Sequence, residues 1–253
     1  MSAGRRTFKT FTLRERPELE DEFERLSREG WPTFMRQRDE LGLGRYWPRL
    51  FDDFADWQFV VCDSFDRVVA CGHSIPLVWD GTSADLPDDM VTIMERAVAA
   101  RKAERRPTAL CALGALVGVE QRGQGLSRVI LETMRGMATQ WKFGALVAPV
   151  RPSLKAAYPL APMERYVGWT DAEGAPIDPW MRVHARLGAE VVRVIPRAMV
   201  IAGKVREWET WTDMRFPDSG PYVVPGALQP VLIDRERDEG RYEDPNVWMI
   251  HRL

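Results

Sequence analysis

The stretch Ala109-Leu110-Cys111-Ala112-Leu113-Gly114-Ala115-Leu116-Val117-Gly118-Val119, followed by Glu120-Gln121-Arg122-Gly123-Gln124-Gly125-Leu126-Ser127, decides how the rest of this chain is read. An unbroken run of small and apolar residues suits a strand buried on both faces. The run is about half of the roughly 20 residues that a membrane-crossing helix requires. After the glycine turn, Leu126, Ile130, Met134, Met137 and Trp141 mark one face of a helix, and Gly144 ends it. Ala145-Leu-Val-Ala-Pro-Val150 then reads as a second buried strand. Strand, turn, helix and strand in this order predict an anion site. Glycines at 123 and 125 let successive backbone N–H groups converge at a helix start, where the helix dipole favours negative charge. That design suits a pyrophosphate. A dinucleotide fingerprint is excluded because the third glycine position holds Arg128, and a Walker loop is excluded because no Gly-Lys-Ser/Thr follows.

Working outward, residues 8–13 alternate as a half-buried strand, and Arg16-Pro17-Glu18 opens a helix with Leu19, Phe23 and Leu26 on one face. A second helical piece is expected over residues 33–41, before Gly42, Gly44 and Pro48 break the chain beside Tyr46, Trp47, Phe51 and Phe54. Residues 59–62 and 68–71 predict an antiparallel hairpin, its second strand running on to Trp79. A helix from Met90 to about Lys102 follows. Beyond residue 150 the chain is irregular and proline-rich, until Asp178-Pro179 supplies an N-cap and first-turn proline for a short helix ending at Leu187-Gly188. Residues 191–195 and 199–202 read as strands. After Lys204 the chain becomes rich in Pro, Gly and Trp up to Val247-Trp248-Met249-Ile250, an extension expected to fold onto the same domain.

The 253 residues include 35 Lys and Arg against 37 Asp and Glu, a net charge of −2 that lacks the basic signature of a nucleic-acid partner. Three cysteines without CxxC spacing argue against a disulfide framework and for a reducing cytoplasm. The first residues lack the apolar run of a signal peptide, and no membrane association is expected. No His, Cys and Asp cluster has metal-ligand spacing, and no GxSxG is present, so no metal and no serine nucleophile are expected. The 10 tryptophans and 11 methionines read first as packing.

Over Val117 to Ser127 the chain resembles the GNAT acyltransferase superfamily, whose hydrophobic strand runs into Arg/Gln-x-x-Gly-x-Gly/Ala, carried here by Gln121-Arg122-Gly123-Gln124-Gly125-Leu126. Element order matches more widely, over residues 8–202; the last fifty residues match nothing general. The resemblance implies an α+β fold, a mixed and mostly antiparallel sheet with splayed central strands flanked by helices. Residues 1–204 would form an acyl-CoA N-acyltransferase domain and 205–253 a C-terminal extension packed on it. It implies acetyl-CoA as co-substrate and an amine as acceptor. The aromatic N-terminal helices and the Trp-rich C-terminal extension suit a closed pocket for a small-molecule amine, and a monomer or homodimer is expected. The strand at 109–119 and the strand at 145–150 would be the splayed pair. Val117, Gly118 and Val119 would meet the pantetheine, and Arg122, Gly123, Gln124, Gly125, Leu126 and Ser127 the pyrophosphate, with Arg128 adding charge.

Such enzymes transfer the acetyl group directly through a tetrahedral intermediate. A lysine-like amine costs about 4.6 kcal/mol to deprotonate at pH 7, so a base is expected. Relatives place a Glu on the fourth strand, but this strand holds no acid, and the base stays open. His73 is weighed as a base against a structural hydrogen bond. By the resemblance, the position of the thiolate's proton donor, a Tyr in relatives, is His184, weighed against a satisfied core histidine. Tyr158, Tyr166 and Trp169 are weighed as acceptor-pocket residues against simple packing, and Glu164 against a solvent-exposed surface position. A catalytically weak acyl-CoA-binding module and an O-acyltransferase are the alternatives.

Overall fold

The computed structural model describes residues 7–253. Among the described residues nine strands form one sheet: β1 (Lys9–Thr12), β2 (Gln58–Cys62), β3 (Val68–Leu77), β4 (Ala109–Val117), β5 (Ala145–Val150), β6 (Ala189–Gly203), β7 (Gly220–Tyr222), β8 (Val231–Asp234) and β9 (Glu239–Arg252). Helices α1 (Glu20–Gly30), α2 (Arg49–Asp52), α3 (Met90–Lys102), α4 (Leu126–Gln140), α5 (Met163–Tyr166), α6 (Pro179–Arg186) and α7 (Val205–Thr212) connect them. The strand order is β1-β2-β3-β4-β5-β9-β8-β7, with β6 also paired to β9, and every pairing is antiparallel except β4 with β5. No described helix is long and apolar enough to cross a membrane.

Two elements follow from local chemistry. Glu20, Asp21 and Glu22 crowd the positive end of α1 while Phe23 and Leu26 are buried beneath it. Asp178 caps α6 by accepting from the amides of Trp180 and Met181.

Adjacent strand residues point to opposite faces, which orients the layers. The Phe23 ring of α1 lies 5.1 Å from that of His73 on β3. A methyl on the neighbouring Gly72 would meet Met134 of α4 at 2.9 Å. Thus α1 covers one face and α4 the other. α6 lies beside α4, where Arg135 donates to the Leu187 carbonyl.

Three expectations need correction. Residues 33–41 form only a 3-10 turn, Thr33–Arg36, because Phe34 and Met35 are buried against Trp208 and Tyr242, and Asp39 is drawn into a bridge with Ile201 of β6. The strands at 191–195 and 199–202 are one strand, β6, whose register with β9 is irregular between Val191 and Arg193 and between Ile195 and Met199. The apolar run at 109–119 ends as a strand at Val117, since Val119 opens a 3-10 turn, Val119–Gln121. The segment after residue 204 supplies α7, β7, β8 and β9, and β9 lies between β5 and β6.

Candidate active site at the splay of β4 and β5

The parallel pairing of β4 with β5 stops at Cys111 opposite Val147, although β4 continues to Val117 and β5 to Val150. From Ala112 onward β4 therefore has β3 on one side and no strand on the other. Its register against β3 also shifts between His73 and Ser74, leaving Leu113 as the extra residue. A bulge at this point twists β4 away from β5 and helps to open the gap.

At the open end, Gly118 donates to the Val69 carbonyl, and the chain turns into α4 through Gly123 (φ 77°) and Gly125 (φ 80°). Both glycines occupy the left-handed region, which an L side chain enters only at a cost. A Cβ at either one would meet nothing within 4 Å, so open space adjoins the turn. The first amides inside α4, Leu126 and Ser127, have no intrahelical acceptor, and intrahelical donation begins with Arg128 and Val129 to the Gly125 carbonyl. The turn thus aims donors and the positive helix end at open space. Arg122 is exposed there, while Arg128 is tied to Glu132 at 2.7 Å. Gly118 is engaged with β3 and Val119 is half exposed in its 3-10 turn, so only Val117 of the three expected pantetheine contacts lies on the unpaired edge.

The end of α1 reaches across the opposite face of the gap. A methyl on Gly30 would touch the Leu116 side chain of β4 at 3.0 Å, while the Trp31 ring lies 5.5 Å from the Arg151 guanidinium beyond β5. Arg151 is held by both carboxylate oxygens of Asp244 (3.0 and 3.1 Å) and donates to the Gly226 carbonyl. Tyr242 adds a hydroxyl bond to Asp244 at 2.6 Å. Nothing in the sequence pattern joins these residues, which come together only because β9 runs beside β5.

His184 does not occupy this gap. It lies buried beside His251, the cross-strand partner of Leu146 in the paired section of β5. His251 Nδ1 donates to the Leu187 carbonyl, so its Nε2 accepts from His184 Nδ1 at 3.0 Å. His184 Nε2 then carries a lone pair, with no partner. Burial and the neighbouring His251 push the His184 imidazole down to about 3. A neutral ring with its proton committed to His251 has none to give a thiolate. Tyr158, Tyr166 and Trp169 pack against one another in tilted and edge-on contacts, with centroids 5.2 to 6.2 Å apart, and the Tyr166 hydroxyl bonds Asp178, so they pack the loop after β5.

No family model matches the chain. The loading GNATL domain of CurA from Lyngbya majuscula superposes with a TM-score of 0.60 at 15% identity, over 98% of each chain. The GphF GNAT-like decarboxylase in complex with isobutyryl-CoA superposes with a TM-score of 0.59 at 16% identity, over 97% of this chain and 98% of that one. Both show the fold. In sequence, the arginine N-acetyltransferase avaD of Aspergillus versicolor is 33% identical over 251 residues, 88% of this chain and 85% of that protein. The chain belongs to the GNAT superfamily. It is an N-acetyltransferase.

Proposed function

We propose that this chain acetylates a small acceptor of the arginine class, with acetyl-CoA lying between β4 and β5. The splay carries the reading: the β4 edge from Ala112 to Val117 lacks a strand partner and runs directly into the glycine turn of α4. The extended pantetheine arm bears amides that hydrogen-bond as a strand does, so it suits a place where a strand is missing. The amides from Arg122 through Ser127, above all those of Gly123, Gly125, Leu126 and Ser127, would then hold the pyrophosphate. An unpaired β4 amide beside the bulge would stabilise the oxyanion of the tetrahedral intermediate. The relative that acts on arginine supports the acceptor class.

We read residues 205–253 as needed for the acyltransferase domain to fold, because β9 lies between β5 and β6. All three cysteines are free and buried, which fits a cytoplasmic enzyme, and a monomer or homodimer without a nucleic-acid partner fits the balanced charge.

The test is thiol release from acetyl-CoA with arginine and with primary amines lacking a guanidinium. Release accelerated most by arginine or a close analogue is expected. Acetyl-CoA binding with no acceleration by any amine would instead mark a binding module that keeps the loop and lacks the chemistry.

A further inference from the structure

β3 carries a buried histidine to the point where the splay opens. His73 is the cross-strand partner of Gly114 on β4, just past Cys111, the last β4 residue paired with β5. Its ring is caged by Phe23, Trp47 and Phe51, with centroids 5.1, 5.2 and 5.9 Å away. The cage lies on the face covered by α1, opposite the pyrophosphate turn and α4.

The hydrogen bonds around His73 define its tautomer. Gln58 Nε2 donates to the backbone carbonyls of Phe54 (3.0 Å) and Ser74 (2.8 Å), which turns Gln58 Oε1 toward the imidazole. Oε1 is only an acceptor, so His73 Nδ1, 3.2 Å away, must be the protonated nitrogen. Nε2 is therefore left with its lone pair, and no described residue donates to it. Because position 114 is glycine, no side chain covers this edge: a methyl there would lie 3.5 Å from His73 Cδ2 and meet nothing else.

We infer that His73 is the general base of the transfer, its Nε2 taking the proton from the acceptor nitrogen in the opening above Gly114. The inference rests on the acetyl-transfer reading and adds the missing proton acceptor. The acceptor first sheds its ammonium proton to solvent, and the neutral amine nitrogen then bonds to the thioester carbonyl carbon, whose oxygen takes up the negative charge. That nitrogen becomes much more acidic once bonded, and its proton passes to His73 Nε2. Collapse of the tetrahedral intermediate re-forms the carbonyl and breaks the C–S bond. CoA leaves as the thiolate, and the imidazolium returns its proton to solvent or to that thiolate. Burial pushes the imidazole down to about 4, so His73 is neutral before each turnover. Gln58 supports the cycle by keeping the proton on Nδ1.

The experiment measures amine-dependent thiol release by wild type, His73→Gln and Gly114→Ala, alongside thermal stabilisation of each by acetyl-CoA. His73→Gln is expected to bind acetyl-CoA as wild type does and to lose about 10²- to 10⁴-fold in kcat. Gly114→Ala places an ordinary contact beside His73 without strain, so it should fold and bind acetyl-CoA while losing at least tenfold in kcat/KM for the amine. A His73→Gln enzyme within threefold of wild-type kcat overturns the inference. If His73→Gln does not fold, Gly114→Ala decides: full activity with that methyl in place overturns it, and the tenfold loss supports it. Failure of wild type itself to release thiol with any amine refutes the transfer reading, a result separate from any difference among the variants.

Discussion

Acidification from pH 7.5 to pH 5 should destabilise this protein through its three buried histidines. Burial lowers His73 and His251 to about 4 and His184 to about 3, against an ordinary imidazole value of 6.5. Their surroundings explain the direction: His73 is enclosed by aromatic rings and an amide, and His184 and His251 share one hydrogen bond that a second proton would disrupt. Below pH 6.5 the unfolded chain binds more protons than the native one, so stability present above that value is lost as pH falls. Each imidazole is then worth about 2 kcal/mol at pH 5. Allowing for coupling between His184 and His251, the total is about 4 to 6 kcal/mol, comparable to the whole stability of many domains. Urea unfolding followed by tryptophan fluorescence at several pH values between 7.5 and 5 measures the slope, and His73→Gln should remove about a third of it. An unfolding free energy constant across this range would refute the reasoning, because the imidazoles would then be free to charge in the native state.

Three further outcomes are expected. Gly125→Ala forces a side chain into φ 80° and should cost about 1–2 kcal/mol, lowering the melting temperature by several degrees and weakening acetyl-CoA binding in a titration. Asp244→Ala leaves the Arg151 guanidinium largely buried without its counter-charge and should cost about 3–5 kcal/mol in urea unfolding, whereas an exposed ion pair such as Arg128 with Glu132 should cost about 1 kcal/mol or less. His184→Leu should keep kcat within threefold of wild type, since the ring lies beside the paired part of β5; a hundredfold loss in a folded variant would restore it as the proton donor.

Much of the fold was legible where local chemistry and tertiary structure agree. The run from Ala109 to Val117, the turn glycines and the 3.6-residue spacing of Leu126, Ile130 and Met134 are satisfied within one strand–turn–helix unit, so their pattern survives intact. The same holds for the Asp178 cap. β9 was harder, because Asp244, Pro245 and Asn246 read as loop residues. They are tolerated in a strand because Asp244 is paired with Arg151 and Tyr242, and Pro245 falls where the register with β6 is irregular. Residues 33–41 misled for the opposite reason: their apolar positions pack against α7 and β9, distant in sequence, and not along a helix of their own. Within the site, the anion turn was readable and the proton acceptor was not. His73 alone is an isolated histidine; its meaning comes from Gln58, which selects the tautomer, and from Gly114, which leaves the edge uncovered. A glycine inside an otherwise apolar strand was the available signal.

The most direct test of the central claim is a thermal-shift titration with acetyl-CoA, using ATP and NAD as controls. Ligand at about 100 times its dissociation constant adds roughly 2.7 kcal/mol of stability, a rise of about 5–10 °C for a chain of this size. A rise with acetyl-CoA, absent with ATP and NAD and lost in Gly125→Ala, is the result predicted by a cleft between β4 and β5 that ends at the α4 turn. No rise with acetyl-CoA, or an equal rise with either control nucleotide, would contradict it.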